Sequence, residues 1–228
     1  MGLVLGDPMK DIQPFVLGLT GLSGAGKTFF VEAIKAKLGK AVTVVGFDDY
    51  YKPLEMQHVD EFGEANYDLP SALYSERFYE DLMRLIANQP VLIKKYQFEN
   101  YDAPDVTEIV SPAPVLLVEG LFVMDYVAVD ALLDCRIFVD CDLDLCFQRR
   151  KDRDVRERGI PLERSLHQWK YHVMPAYENH ILPHKNRCDL VIQNNGPAEA
   201  NVTWLVDYIR QHAHPSVLSA IEAGLSEG

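Results

Sequence analysis

The amino-acid sequence predicts a three-layer α/β fold, a parallel sheet covered by helices, with a small β insertion and an arginine-bearing helical lid. Three observations carry this expectation. Short apolar runs alternate with stretches of helical period, the pattern of βαβ units whose strands are buried on both faces. A glycine-rich string, GLSGAGKT at 21–28, follows the first apolar run and opens the first helical stretch. A basic string, RRKDRDVRER at 149–158, holds six of the chain's 22 Lys and Arg residues. At 228 residues the chain reads as a single domain, 1–228, with the insertion at about 91–112 and the lid at about 149–164.

The elements follow in order. FVLGLT, Phe15 to Thr20, reads as a buried strand, and the stretch through FFVEAIKAKL as a helix stopped near Gly39. AVTVVGF, Ala41 to Phe47, is a second strand and runs into DDYYKP, completing a first βαβ unit. Residues 54–69, acidic and containing Gly63, read as a surface loop. Leu73, Phe78, Leu82, Leu85 and Ile86 make a helical stripe over 71–89, started by Ser71. VLIKKYQF and TEIVSP are short strands of the insertion, joined by ENYDAPDV. VLLVEG, at 115–120, is the most apolar strand and stops on a carboxylate. RIFVD is a further strand, followed by a basic helix from Asp142, a polar stretch at RERGIP and a long helix broken at Pro175 and Pro183. DLVIQN is the last strand, and AEANVTWLVDYIRQH an amphipathic helix.

Composition narrows the function. Hydrophobic residues make up 48% and charged residues 25%, ordinary globular usage. The net charge of -12 opposes a general nucleic-acid binder, because phosphate backbones are held by excess Lys and Arg. With no run long enough to cross a bilayer and no basic, cleavable apolar N-terminal segment, the chain reads as soluble, cytoplasmic and without a membrane partner. Cys135, Cys141, Cys146 and Cys188 form no CxxC pair and read as buried reduced thiols. No HExxH pattern occurs, and His180 and His184 straddle Pro183, so no structural zinc is expected.

The chemistry lies in the glycine-rich string. Gly21, Leu22, Ser23, Gly24, Ala25, Gly26, Lys27 and Thr28 match G-x-x-x-x-G-K-[ST] without departure, between a strand and a helix as the motif requires. Such glycines fold the backbone into a nest of N–H groups facing phosphate oxygens, and the helix N-terminus adds partial positive charge. Gly21, Ser23, Gly24, Ala25, Gly26, Lys27 and Thr28 are therefore the candidate triphosphate site of a P-loop NTPase-type fold. Lys27 would reach the β and γ phosphates and Thr28 would ligate Mg²⁺. Asn186 to Asp189 lacks the lysine of a guanine-reading motif and precedes a strand, which speaks against a GTPase. Asp48 and Asp49 leave the second strand on the phosphate-loop edge, where a carboxylate can take the proton of an attacking hydroxyl. Glu119 ends an apolar strand beside Thr28 and is suited to holding Mg²⁺ through water. Arg149, Arg153 and Arg156 recur at i, i+4 and i+7 and would place three guanidiniums on one face of a lid.

These pieces together resemble the uridine kinase (uridine-cytidine kinase) family of P-loop kinases, from roughly Phe15 to Asn195. GLSGAGKT is similar to the family's phosphate loop, and DDYYK at 48–52 to its Asp-Ser-Phe-Tyr-Lys/Arg segment, whose first Asp is the catalytic base. NYDLP at 66–70 resembles Asn-Phe-Asp-His-Pro, which gives Asp68 a ribose-binding role. VLLVEG is similar to the strand ending in the magnesium-associated glutamate. RRKDRDVRERG resembles Arg-Arg-x-x-Arg-Asp-x-x-Glu-Arg-Gly, in which arginines at the positions of Arg150, Arg153 and Arg158 serve ribose or phosphates. PAYENHILPHK resembles a Pro-Ala-Phe segment before the last strand.

Departures fall on the base site. The family's Tyr-Asp-Phe-x-x-His-x-Arg stands here as Tyr96, Gln97, Phe98, Glu99, Asn100, Tyr101, Asp102, Ala103, so Tyr96 and Phe98 remain while Tyr101 replaces the histidine and Ala103 the arginine. Ile160 stands where another lid arginine is common. The resemblance implies an ATP- and Mg²⁺-dependent nucleoside kinase acting on the 5′-hydroxyl of uridine or cytidine, with Tyr96, Phe98 and Tyr101 framing the base, and assembly as a homo-oligomer. DDYYKP also looks like Asp-Asp-Phe-Phe-Lys-Pro of nicotinamide riboside kinases, which lack the long lid, and phosphoribulokinase shares the architecture. A competing class is a nucleotide-binding regulator without an acceptor.

Overall fold

The computed structural model describes residues 12–97 and 104–226, with side chains as far as residue 223. Five strands form the central parallel sheet: β1 (Phe15–Thr20), β2 (Val42–Gly46), β7 (Val115–Glu119), β8 (Cys135–Asp140) and β9 (Leu190–Gln193), in the order β2-β7-β1-β8-β9. Val115, Leu116, Leu117 and Val118 have no exposed surface, as a strand flanked on both sides and covered on both faces must, and each contributes about 1.5–3 kcal/mol by burial.

β1 lies at the centre, and the chain goes first to its β2 side and later to its β8 side. In open parallel sheets that reversal leaves a crevice at the carboxyl ends of the strands. The register fixes what lines it. Glu119 of β7 pairs with Leu19 of β1 and with Gly46 of β2, two residues before Asp48. The glycine loop, Asp48 and Glu119 thus reach one edge. Asp189, the end of the rejected guanine-like string, lies at the opposite edge, accepting a 2.7 Å hydrogen bond from the Arg136 amide.

Helix α1 (Lys27–Leu38) buries Phe30, Val31, Ile34 and Leu38 and contacts β2, β7 and α7 (Glu199–His212). A last helix, α8 (Pro215–Ser226), packs on the turn after α1, with Val217 and Ile221 1% exposed. None of the described helices is long and apolar enough to cross a membrane.

Several expectations are corrected. Residues 54–69 contain a hairpin, β3 (His58–Val59) and β4 (Ala65–Asn66), its turn closed by Asp60 and Glu64. Two-residue strands give no periodic signal. Helix α2 is Ser75–Ile86, because Ala72 and Tyr74 bond instead to the chain after β2: Lys52 N to Ala72 O and Tyr74 N to Tyr50 O, both 2.9 Å. The insertion is an antiparallel hairpin, β5 (Val91–Lys94) and β6 (Thr107–Val110). Pro175 does not break its helix. α5 (Leu162–Gln168) continues through a π turn at Trp169–Val173, a short α3 equivalent in length to one turn at Val127–Asp130 having come earlier in the chain, then α6 (Met174–Ala176) and a second π turn at Tyr177–Ile181. Wide turns accommodate a proline ring and its missing donor. Pro183 enters a 3₁₀ turn, Leu182–Arg187. All four cysteines are free; Cys135, Cys141 and Cys146 are buried and Cys188 half-buried. Burial pushes the Cys135 and Cys146 thiols up to about 12 and Cys188 to about 11, keeping them protonated.

Candidate active site

The phosphate loop is a backbone cradle. Gly24 (φ 84°) and Gly26 (φ 96°) lie in the left-handed region, where a side chain is strained. A Cβ on Gly24 would run into the Cys146 carbonyl and one on Gly26 into the Asn194 amide. Asn194, which the sequence did not single out, donates to Ala25 O at 2.7 Å and braces the loop against the end of β9. Lys27 Nζ donates to Gly21 O at 2.9 Å, and Thr28 is exposed in the first turn of α1. A loop whose left-handed glycines admit no Cβ, ahead of a helix N-terminus and with a lysine at its rim, fits a triphosphate.

Lys27, Asp48 and Glu119 form an electrostatic set. Burial lowers Lys27, while Glu119 and Asp48 pull it back up. Burial, then the Asp48 charge, pushes Glu119 up to about 7, against the pull of Lys27. Asp48 is open to the cleft; the surrounding walls still raise its carboxyl, with Lys27 and Arg158 opposing. Such a set favours a bound cation, since added positive charge relieves two crowded carboxylates.

The raised Glu119 value has a consequence for stability. A carboxyl whose folded value lies above its unfolded value favours the native state below the unfolded value, near 4.5, and that contribution disappears as pH rises through about 7. Glu119→Gln will therefore flatten the decline in stability between pH 5 and 8, measured by urea unfolding. An unchanged slope would place the titration elsewhere.

Asp49 is not a second free carboxylate. It is paired with Lys95, and its Oδ1 accepts from Tyr96 N at 3.0 Å, so it fastens the insertion to the strand edge beside Asp48. Tyr96 meets Tyr51 and Tyr67 at ring separations of 5.0 and 6.5 Å. Tyr51 and Tyr67 were not among the sequence candidates, although the aromatic residues of DDYY and NYD were visible. These rings line a cavity of about 730 Å³, together with Asp49, Lys95 and Tyr74. No phosphate-loop residue lines it. Phe98 and Tyr101 lie outside the described residues.

Helix α4 (Leu143–Arg156), which carries most of the basic string, leans on the phosphate loop. Arg150 Nη1 donates to Ser23 Oγ at 2.9 Å and Arg153 Nη2 at 3.4 Å. Arg150 also faces Asp68 at 3.8 Å, and both are 8% exposed. Arg153 Nε is buried with no hydrogen-bond partner among the described residues, which suits an anionic ligand. Crowding by burial, Arg158 and Arg150 lowers Arg153 to about 10, still charged at neutral pH.

The expected face of Arg149, Arg153 and Arg156 does not form. Arg149 turns away to Asn194 O at 3.1 Å, and Arg156 is exposed. Instead, Arg150, Arg153 and Arg158 gather around Asp154, which has no exposed surface and lies 3.3, 3.7 and 3.5 Å from them. Ser165 Oγ donates to Asp154 at 3.1 Å. In a string this rich in charge Asp154 would pass for a solvated residue; the structure makes it the buried anchor of the cluster. Ile160 is buried and donates its amide to Asp154 O at 2.9 Å, so it closes the turn after α4 and presents no charge.

Fold and site define a kinase-type α/β protein with a phosphate loop, a β-hairpin insertion and an arginine cluster. The model of the phosphoribulokinase / uridine kinase family matches residues 16–200. The chain is 33% identical to a uridine kinase of Lactiplantibacillus plantarum, over 88% of this chain and 97% of the relative. It is 34% identical to a uridine kinase of Halobacterium salinarum, covering 79% of this chain and 80% of that one. Among solved structures, phosphoribulokinase from Rhodobacter spheroides aligns at TM-score 0.58 and 17% identity, over 79% of this chain and 70% of that chain. A structure described as a possible uridine kinase from Bacillus stearothermophilus gives TM-score 0.56 at 20% identity, over 80% and 90% respectively. The chain belongs to the phosphoribulokinase / uridine kinase family and is a phosphotransferase of P-loop kinase type.

Proposed function

We propose that this protein is an ATP- and Mg²⁺-dependent nucleoside kinase that phosphorylates the 5′-hydroxyl of uridine or cytidine, a pyrimidine-salvage reaction. The observation that supports this reading is the charge environment of Asp48: it interacts electrostatically with Lys27 and Arg158, and Asp48, Asp68 and Arg150 all act on Tyr51, whose ring lines the cavity shared with Tyr67 and Tyr96. A phosphate-binding side and an aromatic, ring-accepting side thus flank one carboxylate.

Phosphoryl transfer is mainly positioning and charge stabilisation. Gly21 to Thr28 hold the triphosphate, with Lys27 at its β and γ groups. Thr28 and Glu119 are the residues that would hold Mg²⁺, which would supply charge neutralisation at the phosphates. Asp48 accepts the proton of the 5′-hydroxyl as its oxygen attacks the γ-phosphorus and the bond to the β-bridging oxygen breaks. Arg153 and Arg158 stabilise charge on the transferring group, while Asp68 and Arg150 clamp the ribose hydroxyls. Tyr96 with Tyr51 and Tyr67 offers faces to the base, and Phe98 and Tyr101 belong to the same proposed recognition loop.

The test is ADP formation by purified protein with Mg·ATP and, in parallel, uridine, cytidine, nicotinamide riboside, ribulose 5-phosphate or no acceptor. Stimulation by the pyrimidine nucleosides is expected. A response confined to either of the other acceptors would move the substrate assignment to nicotinamide riboside kinase or a phosphoribulokinase-like enzyme, and nucleotide binding without any acceptor response would favour a regulator.

A further inference from the structure

We propose that Asp60, His167 and His172 form a binding site for a transition-metal cation of the zinc class, fastening the β3–β4 hairpin to the helix behind the lid. Asp60 Oδ2 lies 2.6 Å from His167 Nε2 and 2.8 Å from His172 Nε2, and the three atoms all fall within 4.8 Å of one another. Two imidazoles and one carboxylate are the donor set of many zinc and iron sites, in which remaining positions are taken by water.

The donors are held for the purpose. Asp60 Oδ1 accepts the Phe62 and Glu64 amides, each at 2.9 Å, which leaves Oδ2 directed at the histidines. His172 has 2% of its side chain exposed, and the rings of Phe62 and Tyr171 stand 4.9 and 4.8 Å from His167. Asp60 and His167 retain 15% and 17% side-chain exposure, a route of entry for an ion. Zinc bonds of about 2.0–2.2 Å set neighbouring donors on the order of 3.3 Å apart, so the two Asp60–histidine contacts need to open by roughly 0.5–0.7 Å.

Backbone geometry explains why the pair escapes a sequence scan. His167 and His172 are five residues apart, about 140° around a regular α-helix. The π turn at Trp169–Val173 brings positions five apart onto one side. The expectation of no structural zinc rests on the absence of HExxH and on Pro183 between His180 and His184, which share Asp125 at 3.0 and 3.2 Å. The proposed site is a different one. β4 ends two residues before Asp68, so an occupied site would steady an acceptor-side residue as well as the hairpin.

The full-length, untagged chain, stripped with chelator and kept in millimolar Mg²⁺ to occupy the phosphate site, would be titrated with Co²⁺ and then Zn²⁺. One equivalent of Co²⁺ should give a visible d–d absorption that Zn²⁺ abolishes, and Zn²⁺ should raise the melting temperature. Asp60→Asn and His167→Gln, both at partly exposed positions, should each weaken Co²⁺ binding at least about 100-fold, beyond the loss typical of an outer-shell partner. Binding unchanged in both variants, or no stoichiometric Co²⁺ or Zn²⁺ binding by the parent chain, would overturn the assignment and leave a hydrogen-bonded His-Asp-His clamp.

Discussion

Asp48→Asn will lower turnover about 10²–10⁴-fold, the range general-base groups contribute, while leaving Mg·ATP binding and the melting temperature close to those of the parent. Asparagine keeps the shape of the side chain and removes its capacity to take a proton. Because Asp48 is cleft-exposed and its side chain makes no hydrogen bond among the described residues, its loss separates chemistry from folding. The parent's activity should also rise with pH through the acid side of neutrality, as Asp48, raised by its surroundings, and Glu119, near 7, lose their protons. Near-parental turnover by the variant, with an unchanged pH profile, would remove Asp48 from the mechanism.

Asp154→Ala will have the largest effect on stability. It leaves the guanidiniums of Arg150, Arg153 and Arg158 without the carboxylate they surround. Breaking a buried ion pair costs about 3–5 kcal/mol. Arg153 and Arg158 are 34% and 30% exposed at the side chain, so water screens part of the penalty and the lower end, about 3 kcal/mol, is expected. Urea unfolding measures it. KM for both substrates should rise in the surviving folded fraction, because Arg150 and Arg153 also hold Ser23 of the phosphate loop. A loss under about 1 kcal/mol would mean that the cluster is supported from elsewhere.

What could be read from residues alone follows physical range. The central strands were legible because double-sided burial writes continuous apolar runs, and the phosphate loop because its glycines answer a local backbone demand. Asp48 and Glu119 were legible as strand ends: parallel register carries such residues to one edge. Contacts made across long sequence separations were not. The Ser23–Arg150 bond joins residues 127 apart, and nothing near Asp154 marks it as the buried member of an otherwise solvated-looking charged string. The Arg149, Arg153, Arg156 stripe failed for a related reason: helical spacing gives a shared face but not which face meets the loop. The β3–β4 hairpin and the π turns lay below the length at which periodicity carries a signal.

The most direct measurement is the identity of the product formed from uridine and Mg·ATP, by phosphorus NMR and mass spectrometry. The account predicts uridine 5′-monophosphate and ADP in equal amounts, abolished in Asp48→Asn. ADP accompanied by inorganic phosphate, with uridine recovered intact, would contradict it.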